Sequence, residues 1–397
     1  MDKKPEKLVP EVRFKGFTDD WEQHKLENVF TKYQKRINPT QQNLELWSLT
    51  IDQGLVAKTK RYDRSFLVRK NDIFNLVPKG YFVYNPMNIT LGTIDVNKYH
   101  SIAVSGYYIV LKSNDQFNVA FLASLLHTSS MINKYKRFST GSLLEKQRLQ
   151  FPNFAKVKII SPRLSEQTKI GLLMNQVNNL IDLQQRKLKQ LKQLKKAMLQ
   201  QLLANQSFPK VRFNDFKDSW KDYRLGEVFD EFSVKSKKEN EYKLLSSTTS
   251  GMESRSGRVS GHSNIGYKVI DNGDIVLSPQ NLWLGNINLN NMGKGIVSPS
   301  YHTFKIVNAN PIFVNFQLKT KKMLFEYKMV SVQGASVVRR NLDMDAFKKI
   351  VIKIPNEKEQ IKIASLFSSI SNIINNHQNK LTQLTTLKKY LLQKLFI

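Results

Sequence analysis

The chain contains the same long amphipathic helix twice, in residues 166–203 and residues 359–397. Adding 193 to each apolar position of the first stretch gives an apolar residue of the second, and the positions step by three and four, as on one stripe of a helix. Gly171 is the only glycine or proline in either stretch, so each can form one helix about 57 Å long. Because neither stripe can face water alone, we predict that the two helices pack together as an antiparallel coiled coil.

The predicted seam of this coiled coil contains one polar layer. Gln184 and His377 occupy equivalent positions near the helix midpoints, and a polar pair in a seam lowers stability but fixes register. Antiparallel packing about a pseudo-twofold axis is expected to bring them together. We predict Ser165 as the cap of the first helix and Asn356 as the cap of the second. The apolar seam positions are Ile170, Val177, Leu191, Met198, Ile363, Ile370, Leu384 and Leu391. The alternative is an ordinary two-helix core stripe.

The helix repeat is part of a longer repeat that covers most of the chain. Marker residues recur in the same order: Phe14, Phe17, Trp21, Gly80, Phe154 and Pro162 in the first copy, and Phe213, Phe216, Trp220, Gly273, Phe347 and Pro355 in the second. The pattern predicts an α+β protein with two tandem mixed α/β domains, residues 1–165 and 206–358, each followed by a long helix, residues 166–205 and 359–397.

Short elements inside each domain can also be predicted. We expect strands at residues 82–84, 107–112 and 157–160, with equivalents at residues 275–277, 301–306 and 350–354. Residues 117–135 and 311–329 are expected to be helical, with Pro311 at a first-turn position.

The charge of the chain points to a polyanionic partner. The formal net charge is +30, from 62 Lys and Arg against 32 Asp and Glu. An excess of this size favours nucleic acid, with a Lys-rich coding bias as the alternative. Most of the excess is Lys, which suits phosphate neutralisation better than bidentate reading of bases.

The two copies differ most in residues 44–79 and 244–272, which are basic, polar and typical of loops. Two similar frames that hold two different basic segments suggest two readers of two different DNA sequences. Arg, Lys, His and Asn are the side chains that hydrogen-bond base edges. Ordinary solvated loops are the alternative for any single residue. The candidates are Lys58, Lys60, Arg61, Arg64, Arg69 and Lys70 in the first copy and Arg255, Arg258, His262, Asn264 and Lys268 in the second.

A glycine turn before the last strand of each domain is a second candidate DNA contact. A glycine lets backbone amides approach a phosphate while neighbouring basic side chains add charge. An ordinary loop glycine is the alternative. The residues are Arg137, Gly141, Lys146 and Arg148 in the first copy and Gly334, Arg339 and Arg340 in the second. The basic run at residues 186–196 is interpreted as a solvated helix face.

No arrangement of residues typical of catalysis is present in the sequence. A phosphate-binding glycine loop, a nucleophile elbow and a zinc-protease motif are all missing, and the six histidines are scattered. We therefore expect no catalytic residue, no metal site and no cofactor on this chain. With no cysteine, no signal peptide in residues 1–14 and no apolar run of membrane-spanning length, a cytoplasmic location is expected.

The doubled arrangement resembles the specificity subunit of a type I DNA restriction-modification system. The resemblance is carried by the openings at residues 14–21 and 213–220, by Pro-x-x-x-Glu-Gln-x-x-Ile at residues 162–170 and 355–363, and by Phe154 and Phe347. It implies that each domain is a target recognition domain that reads one half of a bipartite, asymmetric DNA site. The two helices would be the conserved spacer between the half-sites.

The same resemblance implies the partners of the chain. Methyltransferase subunits would dock against this frame and restriction-translocase subunits would join them, giving a host-defence complex that methylates adenine and cleaves DNA. S-adenosylmethionine, ATP and Mg²⁺ would be bound by those partners. Two other functions stay open on the sequence: a basic coiled-coil architectural protein that binds nucleic acid without sequence preference, and a self-sufficient methyltransferase.

Overall fold

A computed structural model of the chain describes residues 8–39, 42–51, 53–58, 73–141, 147–203, 206–209, 211–255, 263–333 and 340–397. The chain divides into two compact units, Met1–Gln185 with Asn379–Ile397, and Arg186–Gln378. Each long helix therefore contributes one part to each unit. The four-segment division made from the sequence stays a prediction.

The first unit combines several short strands with four short helices. Its strands are β1 (Glu22–Lys25), β2 (Phe30–Tyr33), β3 (Arg36–Ile37), β4 (Leu46–Thr50), β5 (Gly54–Ala57), β6 (Phe74–Val77), β7 (Phe82–Tyr84), β8 (Ile94–Val96), β9 (Ile102–Ser105), β10 (Ile109–Ser113) and β11 (Lys158–Ser161). Its short helices are α1 (Leu26–Val29), α2 (Val119–Leu125), α3 (Ser129–Phe138) and α4 (Phe151–Ala155). The long helix α5 (Leu164–Leu202) begins here.

Two larger sheets organise the first unit. The frame sheet has the order β2-β10-β7-β8, and the reading sheet, which carries the basic segment, has the order β3-β6-β9-β4-β5. Strands β1 and β11 form a separate antiparallel pair. Phe82 and Leu111 of the frame sheet pack on Phe121 and Phe154 in the main core, and the reading sheet has its own smaller core around Trp47. The two sheets therefore have separate cores.

The second unit repeats this plan. Its strands are β12 (Lys221–Arg224), β13 (Phe229–Phe232), β14 (Lys243–Thr248), β15 (Gly251–Ser254), β16 (Lys268–Ile270), β17 (Ile275–Leu277), β18 (Ile287–Leu289), β19 (Gly295–Val297), β20 (His302–Ile306), β21 (Ser331–Gln333), β22 (Arg340–Leu342) and β23 (Val351–Ile354). Its helices are α6 (Leu225–Val228), α7 (Pro311–Gln317), α8 (Lys321–Met329), α9 (Met344–Lys349) and the start of α10 (Glu357–Lys394). The frame sheet has the order β13-β20-β17-β18 and the reading sheet β15-β14-β19-β16.

The prediction that residues 44–79 and 244–272 are loop-like is wrong. Both segments contain strands of a reading sheet, and in each a hairpin pairs with a parallel neighbour, β4 with β9 and β14 with β19. In β4 the side chains alternate, with Trp47 and Leu49 buried. An alternation over five residues is a short signal for a strand, and the basic residues around it conceal it in the sequence.

The prediction that residues 117–135 and 311–329 are helical is confirmed, and each segment forms two helices, α2 with α3 and α7 with α8. Thr128 accepts a hydrogen bond from the Met131 backbone N–H (3.3 Å) and caps α3. Thr320 does the same for α8 through the Met323 N–H (3.4 Å). A threonine that accepts from the third residue ahead is a helix start, so the chain turns between the two helices.

The long helices α5 and α10 contain 39 and 38 residues and pack antiparallel within each unit. In the first unit, Ile170 and Val177 near the start of α5 share a core with Leu391 near the end of α10. In the second unit, Leu202 at the end of α5 shares a core with Ile363 near the start of α10. The predicted antiparallel helix pair is confirmed.

Only one of the two predicted helix caps is correct. The Asn356 side chain accepts a hydrogen bond from the Glu359 backbone N–H (3.0 Å), as predicted. Ser165 is the second residue of α5 and cannot be its cap, because the helix already begins at Leu164. Serine is a preferred capping residue, so the sequence pointed to Ser165 although the helix begins one residue before it.

The residues of the predicted seam are all buried or partly buried, Gln184 and His377 among them. Four other members of the apolar stripe are exposed, which contradicts the prediction that the whole stripe is covered. These residues form two equivalent pairs, Leu180 with Ile373 and Leu194 with Leu387. The stripe is wider than the seam of a two-helix coiled coil, so its flanks face outward. Contact between Gln184 and His377 stays a prediction.

Two bidentate ion pairs join the start of each unit to its long helix. Arg13 donates from Nε and Nη2 to the carboxylate of Glu166, and Arg212 donates in the same way to Glu359, with all four bonds at 2.7 Å. Both carboxylates are buried. These contacts explain why Glu stands in both helix-entry motifs, because each Glu holds the arginine of its own unit's opening.

The glutamine of the same motif ties the long helix to a short one. The side-chain oxygen of Gln167 accepts from the Asn118 backbone N–H (2.9 Å), and that of Gln360 accepts from the Asn310 N–H (2.8 Å). Asn118 and Asn310 are in turn the caps of α2 and α7. The motif is therefore a structural device that fixes α2 and α7 on the long helices.

Candidate nucleic-acid interface

The two reading sheets place one cation at the same position in each unit. Lys58 follows the hairpin β4–β5, and its backbone N–H donates to the Leu46 oxygen (2.9 Å). Arg255 follows the hairpin β14–β15, and its N–H donates to the Leu244 oxygen (3.0 Å). Both side chains are exposed. Equivalent positions therefore present a lysine in one unit and an arginine in the other.

Ten of the predicted site residues lie outside the described part of the chain. They are Lys60, Arg61, Arg64, Arg69, Lys70, Lys146, Arg258, His262, Gly334 and Arg339. Their role in DNA binding stays a prediction.

The described part of the first glycine turn presents two cations to solvent. Thr140 and Arg148 pair across it, each backbone N–H donating to the other residue's oxygen at 2.9 Å. Gly141 has a φ of +116°, a backbone conformation that favours glycine. Arg148 and Arg137, which lies in the last turn of α3, are both exposed. Two exposed arginines therefore flank the glycine in the described part of this segment, an arrangement suited to a phosphate.

Asn264 is not available to a base in this structure. Its side chain is 1% exposed, donates to Asn240 Oδ1 (2.8 Å) and accepts from the Asn240 backbone N–H (2.8 Å). Both polar ends of the amide bond inside the unit, and contact with a base stays a prediction. The sequence showed a polar residue in a basic segment and could not show that the amide closes a turn.

Lys268 is half-buried and bonded within the unit. Its ammonium donates to the Tyr301 backbone oxygen (2.6 Å). Burial is the main cause that lowers its pKa, and the positive charge of Lys235 lowers it further, against the opposing charge of Glu231. This geometry gives the side chain a structural bond, whereas Lys58 and Arg255 extend to solvent.

Arg340 is held by an aromatic ring. Its guanidinium lies 5.1 Å from the centre of the Trp283 ring, and Nη1 donates to the Ser331 oxygen (3.3 Å). Stacking on an indole fixes the plane of a guanidinium, which is the requirement for bidentate hydrogen bonding. Sequence reasoning selected Arg340 but missed Trp283, because Thr90 occupies the equivalent position in the first copy.

The first unit presents exposed aromatic residues that sequence reasoning also missed. Tyr107 is 56% exposed in the turn between β9 and β10, and Tyr99 is 48% exposed with its ring 4.6 Å from that of Trp47. Arg36, in the reading sheet, is exposed as well. Exposed aromatic rings beside cations are common on nucleic-acid interfaces. The Tyr107-Tyr108 pair was a usable signal, but it was interpreted as part of a strand.

In the first unit, the reading hairpin is attached to the frame sheet by a carboxylate. Asp95 of β8 accepts from the backbone N–H of Leu55 in β5 (2.8 Å) and from that of Val96 (2.8 Å). A Cβ on Gly54 would collide with this carboxylate, so the position next to it requires glycine. Asp95 thus fixes where Lys58 leaves the hairpin.

In the second unit, an amide and a lysine make the equivalent attachment. Asn288 of β18 donates to the Ser247 hydroxyl (2.7 Å) and to the Thr248 backbone oxygen (2.7 Å). Lys319 donates in turn to Asn288 Oδ1 and to the Gly285 oxygen, both at 2.7 Å. Burial lowers the pKa of Lys319 to about 8. Equivalent positions of β8 and β18 therefore hold the two hairpins by different chemistry, the first at β5 and the second at β14.

Neither a candidate metal site nor a membrane-spanning helix is present among the described residues. No group of three or more His, Cys, Asp or Glu among them could hold a metal ion. No helix in the described ranges is long and apolar enough to cross a membrane.

Solved S subunits of type I restriction-modification systems resemble this structure. The crystal structure of the S subunit from M. genitalium matches with a TM-score of 0.65 and 14% identity, over 98% of this chain and 99% of that one. The HsdS subunit from Thermoanaerobacter tengcongensis matches with a lower TM-score of 0.41 and 16% identity, over 100% of this chain and 99% of that one. No curated protein sequence matches the chain. The first likeness establishes the fold.

A family match covers both copies of the repeat. The family described as Type I restriction modification DNA specificity domain matches residues 18–193 and, separately, residues 217–386. Two mixed α/β domains with basic hairpins, joined to a pair of antiparallel helices, define a protein with tandem DNA target recognition domains. The chain belongs to the type I restriction-modification DNA specificity family and carries its domain twice. The resemblance drawn from the sequence is confirmed.

Proposed function

We propose that this chain is the subunit that reads a bipartite, asymmetric DNA target and holds the other subunits of a type I restriction-modification enzyme. Each unit would read one half-site through its reading sheet. The methyltransferase and restriction-translocase chemistry, with S-adenosylmethionine, ATP and Mg²⁺, would belong to the partner subunits, and this chain would hold no catalytic group.

The observation that carries the proposal is the pair Lys58 and Arg255. The two residues occupy equivalent positions after equivalent hairpins, yet they differ in hydrogen-bonding capacity. A guanidinium can bond two acceptors on the edge of guanine, whereas an ammonium acts as a single point charge. Two copies of one frame with different groups at the same point would read two different half-sites, which makes the whole target asymmetric.

Exposed apolar residues on the long helices support the role in assembly. Large exposed apolar side chains that lie together on a surface are typical of protein interaction sites. Helix α5 carries five and helix α10 carries four: Leu164, Leu172, Leu180, Leu183 and Leu194, and Ile361, Ile373, Leu387 and Tyr390. Since α5 and α10 already pack on each other through their seam, these flanks are free to receive helices of the methyltransferase subunits.

The test is an exchange of one reader. Residues 44–79, with the surrounding first domain, are replaced by the corresponding part of another family member, and the methylated bases are mapped in a host that supplies the partner subunits. We expect one half-site to change while the other half-site is retained. The unchanged chain is the control. A target in which both halves change would contradict the two-reader proposal, and loss of all sequence preference would favour a non-specific architectural protein.

A further inference from the structure

The first unit contains a cleft of about 810 Å³ that the DNA-reading role does not use. One wall comes from the connection between β4 and β5, with Thr50 and Gln53, and another from β8 with Asp95. The long helices close the other side with Asn178 of α5 and Lys388 of α10. The volume is in the range of small-molecule sites, which is about 300–1,000 Å³.

Basic groups converge in this cleft. Lys98, His127 and Lys388 all line it. Burial lowers the pKa of Lys388, and the positive charge of Lys98 lowers it further, against the opposing charges of Asp182 and Asp95. Two ammonium groups that disfavour each other at close range would be stabilised by an anion placed between them.

Two acidic residues line the cleft together with the lysines. The Asp95 carboxylate is held against the hairpin by the backbone N–H groups of Leu55 and Val96. Asp182 is exposed on α5, as Lys98 is on its own segment, so solvent screens both charges. The amides of Asn175, Asn178 and Gln185 add neutral donors and acceptors to the helix wall. The lining therefore combines the ammonium groups of Lys98 and Lys388 with neutral hydrogen-bonding groups on α5.

In the second unit, side chains occupy the corresponding space. Phe316 stands where the first unit has Ala123, and Lys195, the equivalent of Lys388, lies 5.3 Å from the centre of the Phe316 ring and donates to the Ser371 hydroxyl (2.8 Å). Lys319 stands where the first unit has Leu126, and its ammonium bonds to Asn288. The second unit thus satisfies its lysines internally.

The charged groups differ between the copies as well. Lys98, Asp95, His127 and Asp182 of the first unit are replaced in the second by uncharged residues, which are Asn291, Asn288, Thr320 and Asn375. Of the ionisable positions in the cleft, only Lys388 has the same residue type in the second unit, Lys195. The open cleft and its converging cations therefore occur together in the first unit, although DNA reading is expected of both units.

We propose that the cleft of the first unit binds the phosphate group of a nucleotide-sized ligand, through Lys98, Lys388 and His127. The phosphate accepts hydrogen bonds from the two ammonium groups and from the protonated form of the His127 imidazole, and the amides on α5 contact the remainder of the ligand. Without an anion, burial and the charges of Lys388 and Lys98 lower the pKa of His127, against the opposing charge of Asp95. Thr50 and Gln53 belong to the reading hairpin, so the ligand also contacts the segment that leads to Lys58. The phosphate can come from a free nucleotide or from the DNA backbone.

The test measures binding of inorganic phosphate and of adenosine monophosphate to the full-length chain by titration calorimetry at low salt. Lys98→Asn and Ala123→Phe each install the residue of the second unit, the first removing a cation and the second filling the cleft. Lys156→Asn removes an exposed lysine outside the cleft and is the matched control. We expect Lys98→Asn to weaken both probes about tenfold. Ala123→Phe is expected to abolish nucleotide binding, and the control is expected to bind like the unchanged chain.

The source of the phosphate is decided by competition with a DNA duplex that carries the target. Displacement of the nucleotide by the duplex, lost in Lys98→Asn, assigns the site to the DNA backbone, and simultaneous binding assigns it to a free nucleotide. Either outcome supports a phosphate site. The proposal is overturned if neither probe binds at concentrations up to about 10 mM, or if Lys98→Asn and Lys156→Asn bind equally well. Lys98 is exposed, so its replacement leaves the fold intact.

Discussion

Arg13 donates two hydrogen bonds of 2.7 Å to the buried carboxylate of Glu166, across 153 positions of sequence. The bond to this carboxylate raises the pKa of the Arg13 guanidinium. Arg212 and Glu359 repeat the geometry in the second unit. Each unit is therefore closed by the same contact, which gives a matched pair of variants for testing how independent the units are.

Replacing Arg13 by Met is expected to destabilise the first unit by about 3–5 kcal/mol, because the Glu166 carboxylate is left buried without its partner. Hydrogen exchange of the amides in α2 would report the change, with those in α7 as the internal reference. Arg212→Met is the matched variant and should reverse the pattern. Equal loss of protection in both units for either variant would show that the pair does not act locally.

The stability of the second unit should rise with pH through Lys319. Burial lowers the folded-state pKa of this lysine to about 8, below the ordinary value of 10.5. Between these values the unfolded chain binds more protons, so the free energy of unfolding increases as pH rises from about 8. Because the side chain is partly exposed, the full gain is on the order of 2 kcal/mol.

The measurement for Lys319 is chemical unfolding of the second unit between about pH 7.5 and 9.5, below the range in which tyrosines of the unfolded chain ionise. Lys319→Leu installs the residue that the first unit has at position 126 and is the control. We expect the difference between the two proteins to change with pH. Parallel profiles for the two proteins would mean that the lysine is not desolvated in solution.

Lys58 and Arg255 are expected to differ in their effect on DNA binding. Lys58→Ala should weaken binding to all DNA sequences by a similar factor, since a lysine acts mainly as a phosphate contact. The slope of log affinity against log salt concentration should become about one unit less steep. Arg255→Ala should cost about 1–3 kcal/mol and relax one position of one half-site, since a guanidinium reads a base edge. Binding to a panel of single-base variants of the target at several salt concentrations measures both effects. Lys156→Ala serves as the control.

A fragment that ends near Gln206 is expected to pair with itself and to read a symmetric site. In the first unit the core is completed by Leu395 and Phe396, directly after α10, and the fragment carries their equivalents, Leu202 and Leu203, at the end of α5. A second copy can therefore supply the missing apolar surface. Sedimentation and methylome mapping test this expectation, and a folded monomer in solution would contradict it.

The repeat, the paired helices and the family follow from the sequence itself. Two stretches of this length with identical spacing of apolar residues indicate a buried seam between two helices. The chain itself provides both helices. The entry motif with Glu166 and Glu359 was visible in the same way. Such patterns can be recognised in the sequence because the spacing of the apolar stripe depends only on local helix geometry.

Tertiary structure alone decided what the polar residues do. Asn264 and Arg255 were equal candidates in the sequence, yet one amide closes a buried turn and the other side chain extends to solvent. Whether a polar group bonds inside the protein or remains available to a ligand depends on distant partners such as Asn240 and Leu244, which no local pattern encodes. The cleft of the first unit follows the same rule, because its lining includes Ala123 at the position where the second unit has Phe316.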